Sequence, residues 1–429
     1  MTDIALTNKF ETPSRDEWAE QVKKGLKGAG FESLLRQTDD DLERGPFFSA
    51  EDLPANVTPQ SRIGAPLLDD RPWHMCTPAR DPDIRFANKQ VLADLKGGAS
   101  ALDITTSENA IKLTGSADLK RLLEGVWVNL VPLRFSITSA PVETAQLIKS
   151  HRPLAESVVD LGLDPISLLL SGDNSESFSL DSLLDGLPDN WTALCVNAAA
   201  IHDQGGTESQ ELSVMAASAA HYWRQYGPNT KLSVRLAADR DGHLGIAKVR
   251  AARQIMTRIA ESFGANTQIP IHCVSSLRMM QNIDPWTNLL RVMASGFGAV
   301  CGGADYVTLR PFTDAPSDTP RLATPFGYRI ARNMQLMMME ESHLGQVNDA
   351  AHGSYFHEAL TQKIAKAAWT EFQAIETGGG IEDVIASESL QKAIAAAKTD
   401  RDTENNPILG VTLHRAEDTK PAKLRETNK

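Results

Sequence analysis

Between residues 73 and 309, short runs rich in apolar and β-branched residues alternate with stretches of helical spacing. This alternation constrains the fold more than any other feature. Strand–helix–strand repeats build a parallel sheet with helices outside it. The runs are Trp73–Cys76, Ala101–Ile104, Val126–Leu130, a weakly marked one near Leu161–Ile166, Thr192–Ala198, Leu232–Leu236, Ile269–Val274 and Tyr306–Leu309. Helical spacing is plain at 82–96, at 117–123, and through Val249, Ala252, Ile255 and Ile259, which share one face. Eight such units favour a closed (β/α)8 TIM barrel over an open doubly wound sheet, so the expected class is α/β.

The flanks read differently. Residues 1–14 are polar, and Arg15–Lys24 forms a helix that Ser14 can cap. A Leu-rich segment, Thr38 with acidic residues, and Phe47-Phe48 follow; residues 55–70, with Pro, Gly and Ser, read as a linker. After the barrel, Leu360, Ile364, Ala368 and Phe372 share a helical face. Gly378-Gly-Gly380 breaks that helix and Ile381–Ala397 resumes it. The charged end reads as a disordered tail. The expected division is 1–70 arm and linker, 71–398 barrel with its C-terminal helices, and 399–429 tail.

Composition narrows the function. Hydrophobic residues at 41% and charged residues at 23% suffice for a large core. The net charge of −12, with no basic run, argues against nucleic acid as a partner. Cys76, Cys195, Cys273 and Cys301 are scattered and read as buried thiols. No run of about 18 apolar residues reads as a membrane span, and residues 1–9 lack the apolar core of a secretory signal. A cytoplasmic protein is expected.

The densest motifs lie between Ile269 and Thr361. Ile269-Pro-Ile-His-Cys-Val-Ser275 and Asp284-Pro-Trp-Thr-Asn288 come first, then Gly302-Gly-Ala-Asp-Tyr-Val-Thr-Leu309. Arg329-Ile-Ala-Arg-Asn-Met-Gln-Leu336 and Gly353-Ser-Tyr355 with Glu358-Ala-Leu-Thr361 complete the set. Together they resemble the barrel domain of the methylmalonyl-CoA mutase family, over roughly residues 15 to 412. The resemblance implies an N-terminal arm, Phe31–Pro54, which in the family wraps around a partner subunit; packing on its own barrel is the alternative. It also implies a radical rearrangement in which adenosylcobalamin supplies the radical and the barrel shields an acyl-CoA from water.

In the family the cobalt ligand is a histidine of an Asp-x-His-x-x-Gly motif in a separate flavodoxin-like domain. The nearest sequence here, Asp241-Gly-His-Leu-Gly245, has different spacing and reads as a turn. The expectation is a barrel without a cobalamin-binding domain, which binds no cofactor alone and meets adenosylcobalamin through its partner. Catalytic subunits carry a Tyr-His pair after the fifth strand, and this chain has Ile201-His202. His202 is the one candidate for substrate or cofactor binding, weighed against a hydrogen-bonded structural role. No catalytic or metal-binding residue is assigned.

Other family positions have changed. Arg-Thr-His-Ser-Gln-Thr-Ser-Gly becomes Pro270-Ile-His-Cys-Val-Ser-Ser-Leu277, which removes a guanidinium fork and leaves His272 as a structural histidine. Leu-His-Thr-Asn becomes Val307-Thr-Leu-Arg310, and the segment from Leu163 to Leu170 lacks the family's nearby arginine for the substrate carboxylate. His352 and His357 lack the helical spacing of a metal pair, Gly302-Gly303 precedes a strand and so is no phosphate loop, and Met337-Met-Met339 reads as helix packing. With Ile201 and Leu123-Glu-Gly-Val-Trp-Val-Asn-Leu-Val-Pro132, the resemblance is strongest to the small, non-catalytic subunit of heterodimeric mutases. It implies support of a catalytic mutase partner. The alternatives are the acyl-CoA-binding barrel of a split mutase, with the cobalamin domain on a separate polypeptide, and a stand-alone regulatory barrel.

Overall fold

The computed structural model describes residues 13–55, 57–59, 71–172, 180–265, 268–317, 322–401, 407–415 and 418–425. Residues 1–12 and most of the linker therefore lie outside the described residues. In the N-terminal arm, β1 (Arg36–Gln37) and β2 (Glu43–Arg44) form an antiparallel pair. The barrel strands are β3 (His74–Ala79), β4 (Ala101–Thr106), β5 (Leu133–Ile137), β6 (Val159–Leu163), β7 (Trp191–Asn197), β8 (Leu232–Ala238), β9 (Ile271–Ser275) and β10 (Tyr306–Thr308). Among the described residues these eight close a parallel barrel in the order β10-β3-β4-β5-β6-β7-β8-β9, with helices outside, which is the expected TIM architecture.

Strand side chains alternate between faces. Leu102, Ile104, Phe135, Leu161, Val234 and Leu236 join the helices in one continuous buried apolar cluster. The intervening positions, such as Asp103, Arg134, Asp160 and Arg235, are buried but charged. This explains the one misplaced strand. Val126–Leu130 was expected as the third strand, yet it is a turn whose Trp127 is 73% exposed, and the strand is Leu133–Ile137. Arg134 and Ser136 break the apolar run because they occupy the inner-face positions. The fourth strand is weakly marked because it carries an irregularity between Asp160 and Leu163. Gly162 sits there at φ +63, where a Cβ would stand 1.8 Å from the Phe135 carbonyl oxygen.

Asp241-Gly-His-Leu-Gly245 is not a turn but the start of the Gly242–Phe263 helix. The Asp241 carboxylate caps it by accepting from the Leu244 amide at 3.0 Å. Its glycine lets the Asn288–Cys301 helix cross closely: a Cβ on Gly298 would lie 2.8 Å from the Gly242 carbonyl oxygen. The Met cluster forms a π-helical turn, Met337–Glu341, with Met338 and Met339 buried. The expected 381–397 helix is two pieces, Ile381–Ala386 and Ser389–Arg401, parted where Glu388 takes φ 58.

The arm packs on its own barrel. Asp40 accepts from the Ser209 amide at 3.1 Å, Arg44 pairs with Asp241, and Phe48 meets Phe356 at 5.1 Å. Ser14 caps the Arg15–Gly25 helix, as its sequence predicts. The expected disorder of the tail is corrected for its described parts. Arg291 donates to the Leu409 carbonyl, Trp286 Nε1 to that of Lys420 at 2.8 Å, and Arg425 Nε to Asp81 at 2.9 Å. A charged composition conceals such isolated anchors. No helix among the described residues is long and apolar enough to cross a membrane.

Arg250 locks the outer layer. It is fully buried on the Gly242–Phe263 helix and donates to both Glu358 oxygens, at 3.0 and 2.8 Å, to Asp349 at 3.0 Å and to Thr361 Oγ1 at 3.0 Å. Replacing it by alanine strands two buried carboxylates. Arg250→Ala should cost about 3–5 kcal/mol in urea unfolding. Arg258→Ala, at a side chain 69% exposed, should stay within about 0.5 kcal/mol. Equal effects would show that the buried cluster contributes nothing special.

Candidate functional site

Strand register places a charged tier across the barrel. Asp103 lies beside Arg134, Arg134 beside Asp160, Arg235 beside His272, and His272 beside Tyr306. β4 and β8 stand opposite each other in the barrel order, and so do β5 and β9. Arg235 spans the first pair and grips Asp103 with two bonds of 2.8 Å. Arg134 spans the second, its Nε donating to His272 Nδ1 at 3.1 Å. Arg134 also pairs with Asp160 at 2.6 Å, and Asp160 accepts from Ser233 Oγ at 2.5 Å. Beside this, the Arg134 guanidinium lies 4.4 Å over the Tyr306 ring, which stacks on His74 at 4.5 Å. Two arginines and two aspartates balance, so the tier is neutral overall.

The geometry fixes the protonation states. His272 Nδ1 faces donors from Arg134 and, at 3.3 Å, Arg235, so its ring proton sits on Nε2 and is donated to Thr308 Oγ1 at 2.8 Å. Burial, then the Arg235 charge, holds its pKa well below the ordinary histidine value. Burial alone would raise the Asp103 pKa, but the Arg235 fork keeps this carboxyl well below the usual range. His74 falls to about 4, mainly through burial and secondarily through Arg134.

At the C-terminal ends of the strands lies a cavity of about 470 Å³ that Arg235 lines. Arg80, Arg310, Asp203, Asn109 and Asn197 also line it. Arg80 is paired with Asp314. Arg310 donates through Nε to the Ser275 carbonyl at 2.9 Å, and no carboxylate of the described residues pairs with it.

His202 sits in the Ala199–Gln204 helix that follows β7 and is fully buried. Its Nε2 bonds Asp239 at 3.0 Å, and its Nδ1 lies 3.4 Å from Glu211. Glu211 in turn holds Lys248 at 2.6 Å, and Asp239 accepts from Arg278 at 3.0 Å. His202 is thus shared among carboxylates and does not line the mouth cavity, whereas Asp203 does. His352 lies 3.4 Å from Glu358, and His357 bonds Ser354 at 2.9 Å and His243 at 3.0 Å. Among the described residues no group of three or more His, Cys, Asp or Glu is arranged to hold a metal ion. Cys76, Cys195 and Cys273 are buried, and burial pushes each thiol up to about 12. The sequence reading missed the tier. The available signal was charge at alternate positions of otherwise apolar strands.

Residues 186–429 match a family model described as methylmalonyl-CoA mutase. A probable methylmalonyl-CoA mutase small subunit of Mycobacterium tuberculosis is 38% identical over 316 residues, covering 68% of this chain and 50% of the relative. The methylmalonyl-CoA mutase small subunit of Streptomyces virginiae is 32% identical over 452 residues, covering 95% of this chain and 71% of the relative. That of Propionibacterium freudenreichii is 29% identical over 441 residues, covering 93% and 68%. The chain therefore spans about half the length of the mycobacterial relative.

Neutral buried histidines make stability pH-dependent. Below about pH 6.5 the unfolded chain takes up protons that folded His272 and His74 refuse, so unfolding becomes easier as pH falls. For His74 the loss runs from about pH 6.5 down to its folded value of about 4. Each such histidine contributes a slope of up to about 1.4 kcal/mol per pH unit. Urea titrations across this window should be less steep for His74→Phe than for the parent chain, and an unchanged slope would refute the assignment.

Proposed function

The chain belongs to the methylmalonyl-CoA mutase family, and on that premise we propose that it is a cytoplasmic, small, non-catalytic subunit supporting a catalytic adenosylcobalamin-dependent acyl-CoA mutase. The observation that carries this reading is the tier of paired side chains that crosses the barrel axis. An acyl-CoA chain threaded along it would have to part Arg235 from Asp103 and Arg134 from His272. Parting Arg235 from Asp103 leaves two buried charges uncompensated at a cost of about 3–5 kcal/mol.

Adenosylcobalamin, when bound to the partner, would supply the radical. The residues described here do not fit its cobalt. His243, the nearest approach to the ligand motif, stands in a helix start whose Asp241 pairs with Arg44, and its ring bonds His357. The chain's own contribution is then structural: residues 71–398 as the barrel with its helices, residues 1–70 as arm and linker, and 399–429 as a tail. Exposed Trp127, Leu290 and Val347 offer apolar surface for a partner. His202 is read as a support of the barrel wall, with substrate contact as the competing role.

Purification from the native cell at moderate salt should bring down, in equal amount, a mutase chain carrying the Asp-x-His-x-x-Gly motif. Recovery of this chain alone would sink the proposal. A small free-standing cobalamin-binding protein in its place would favour the split enzyme. In calorimetry the isolated chain should show no saturable binding of an acyl-CoA, and saturable binding would contradict a closed axis.

A further inference from the structure

The contact that fastens the arm to the barrel is one hydrogen short. Asp40 stands in the turn between β1 and β2, and Ser209 in the first turn of the Glu208–Tyr226 helix. Ser209 is buried, and its Oγ lies between two carboxyls, 2.5 Å from Asp40 Oδ1 and 2.7 Å from Glu371 Oε1 of the Tyr355–Thr377 helix. A hydroxyl has one proton to donate, and it serves one of these contacts. The other would set a lone pair against an anionic oxygen, unless that carboxyl carries a proton and donates it to Ser209 Oγ. Neighbouring bonds do not supply this hydrogen. The Ser209 amide is committed to Asp40 Oδ2 at 3.1 Å, Ser213 Oγ lies 3.1 Å from Glu371 Oε2, and Thr207 Oγ1 approaches Ser209 Oγ at 3.3 Å.

We propose that Asp40, Ser209 and Glu371 form a proton-operated latch: one shared proton docks the arm on the barrel, and its loss as pH rises lets the arm go. Among the described residues no Lys or Arg forms an ion pair with Asp40 or Glu371. Arg401 of the Ser389–Arg401 helix and Arg278 after β9 turn instead to Asp39, at 3.1 and 3.8 Å. Glu208, the other carboxyl at this helix start, is offset by Lys248, Arg278 and His202. Burial holds both latch carboxyls above their usual range; the Asp39 charge adds to the rise at Asp40, and the Asp40 charge to that at Glu371. An undocked arm returns both to the ordinary carboxyl range of about 4, so docking takes up a proton. Docking is therefore strongest in acid and weakens as pH rises through the docked value, by up to about tenfold per pH unit. His357, behind Phe356 at the far end of the arm's contact, titrates only at about 4 and leaves this window clear. The latch belongs to this chain alone and does not rest on the subunit reading.

The Ser209 amide reports on the latch directly, because Asp40 is its acceptor. Its hydrogen exchange is followed in the full chain by residue-resolved mass spectrometry, from about pH 5 to about pH 9. Rates are corrected for the intrinsic pH dependence of exchange, and the β8 amides serve as the reference for global opening. Protection of Ser209 should fall on the alkaline side by up to about tenfold per pH unit, while the β8 reference does not follow it. Glu371→Gln puts a permanent N–H donor beside Ser209 Oγ, so it should keep the arm docked with protection flat in pH. Asp40→Asn should flatten the profile in the same way and serves if Glu371→Gln does not fold. Protection independent of pH in the parent chain, or an undiminished slope in both variants, would each overturn the proposal.

Discussion

Two cross-barrel braces, Arg235 to Asp103 and Arg134 to His272, are the interactions on which the rest of the molecule depends. Buried ion pairs are seldom worth more than a well-packed apolar replacement. Their effect here is on register. A slip of one residue in any of these strands would turn its charge out into the apolar layer beneath the helices and an apolar side chain in toward the axis. The braces therefore punish misregistered barrels far more than they reward the correct one. His272 joins them as a neutral acceptor, because burial disfavours its charged form and the neighbouring guanidiniums would repel a third cation.

The charged tier has consequences beyond the barrel interior. Beneath the mouth cavity the paired charges of Asp103, Arg235, Arg134 and His272 cross the barrel. Around the outside, the helices must be held by other means. The Arg250 cluster and the Lys248–Glu211–His202–Asp239 chain provide them, linking helix to helix and helix to barrel wall. The arm and the described parts of the tail add further ties through Asp40, Arg44, Leu409 and Arg425.

Much of this was legible in the sequence. The strand–helix alternation gave the barrel, Ser14 and the Gly378–Gly380 break marked helix ends, and the Arg329–Leu336 and Gly353–Thr361 phrases carried the family. Two of the failures share one cause. Leu133–Ile137 was overlooked because Arg134 and Ser136 interrupt it, and the charged tail concealed Arg425. In each case a polar residue that normally signals surface is held inside or against the fold by a partner distant in sequence.

The sequence by itself determined the architecture, since hydrophobic period and turn placement are local properties of the chain. Only the tertiary structure decided which charges pair across the barrel and where His202 pointed its ring. Those properties depend on which residues face each other across the closed barrel. Asp103 and Arg235 are 132 positions apart in sequence, and only closure of the sheet brings them together.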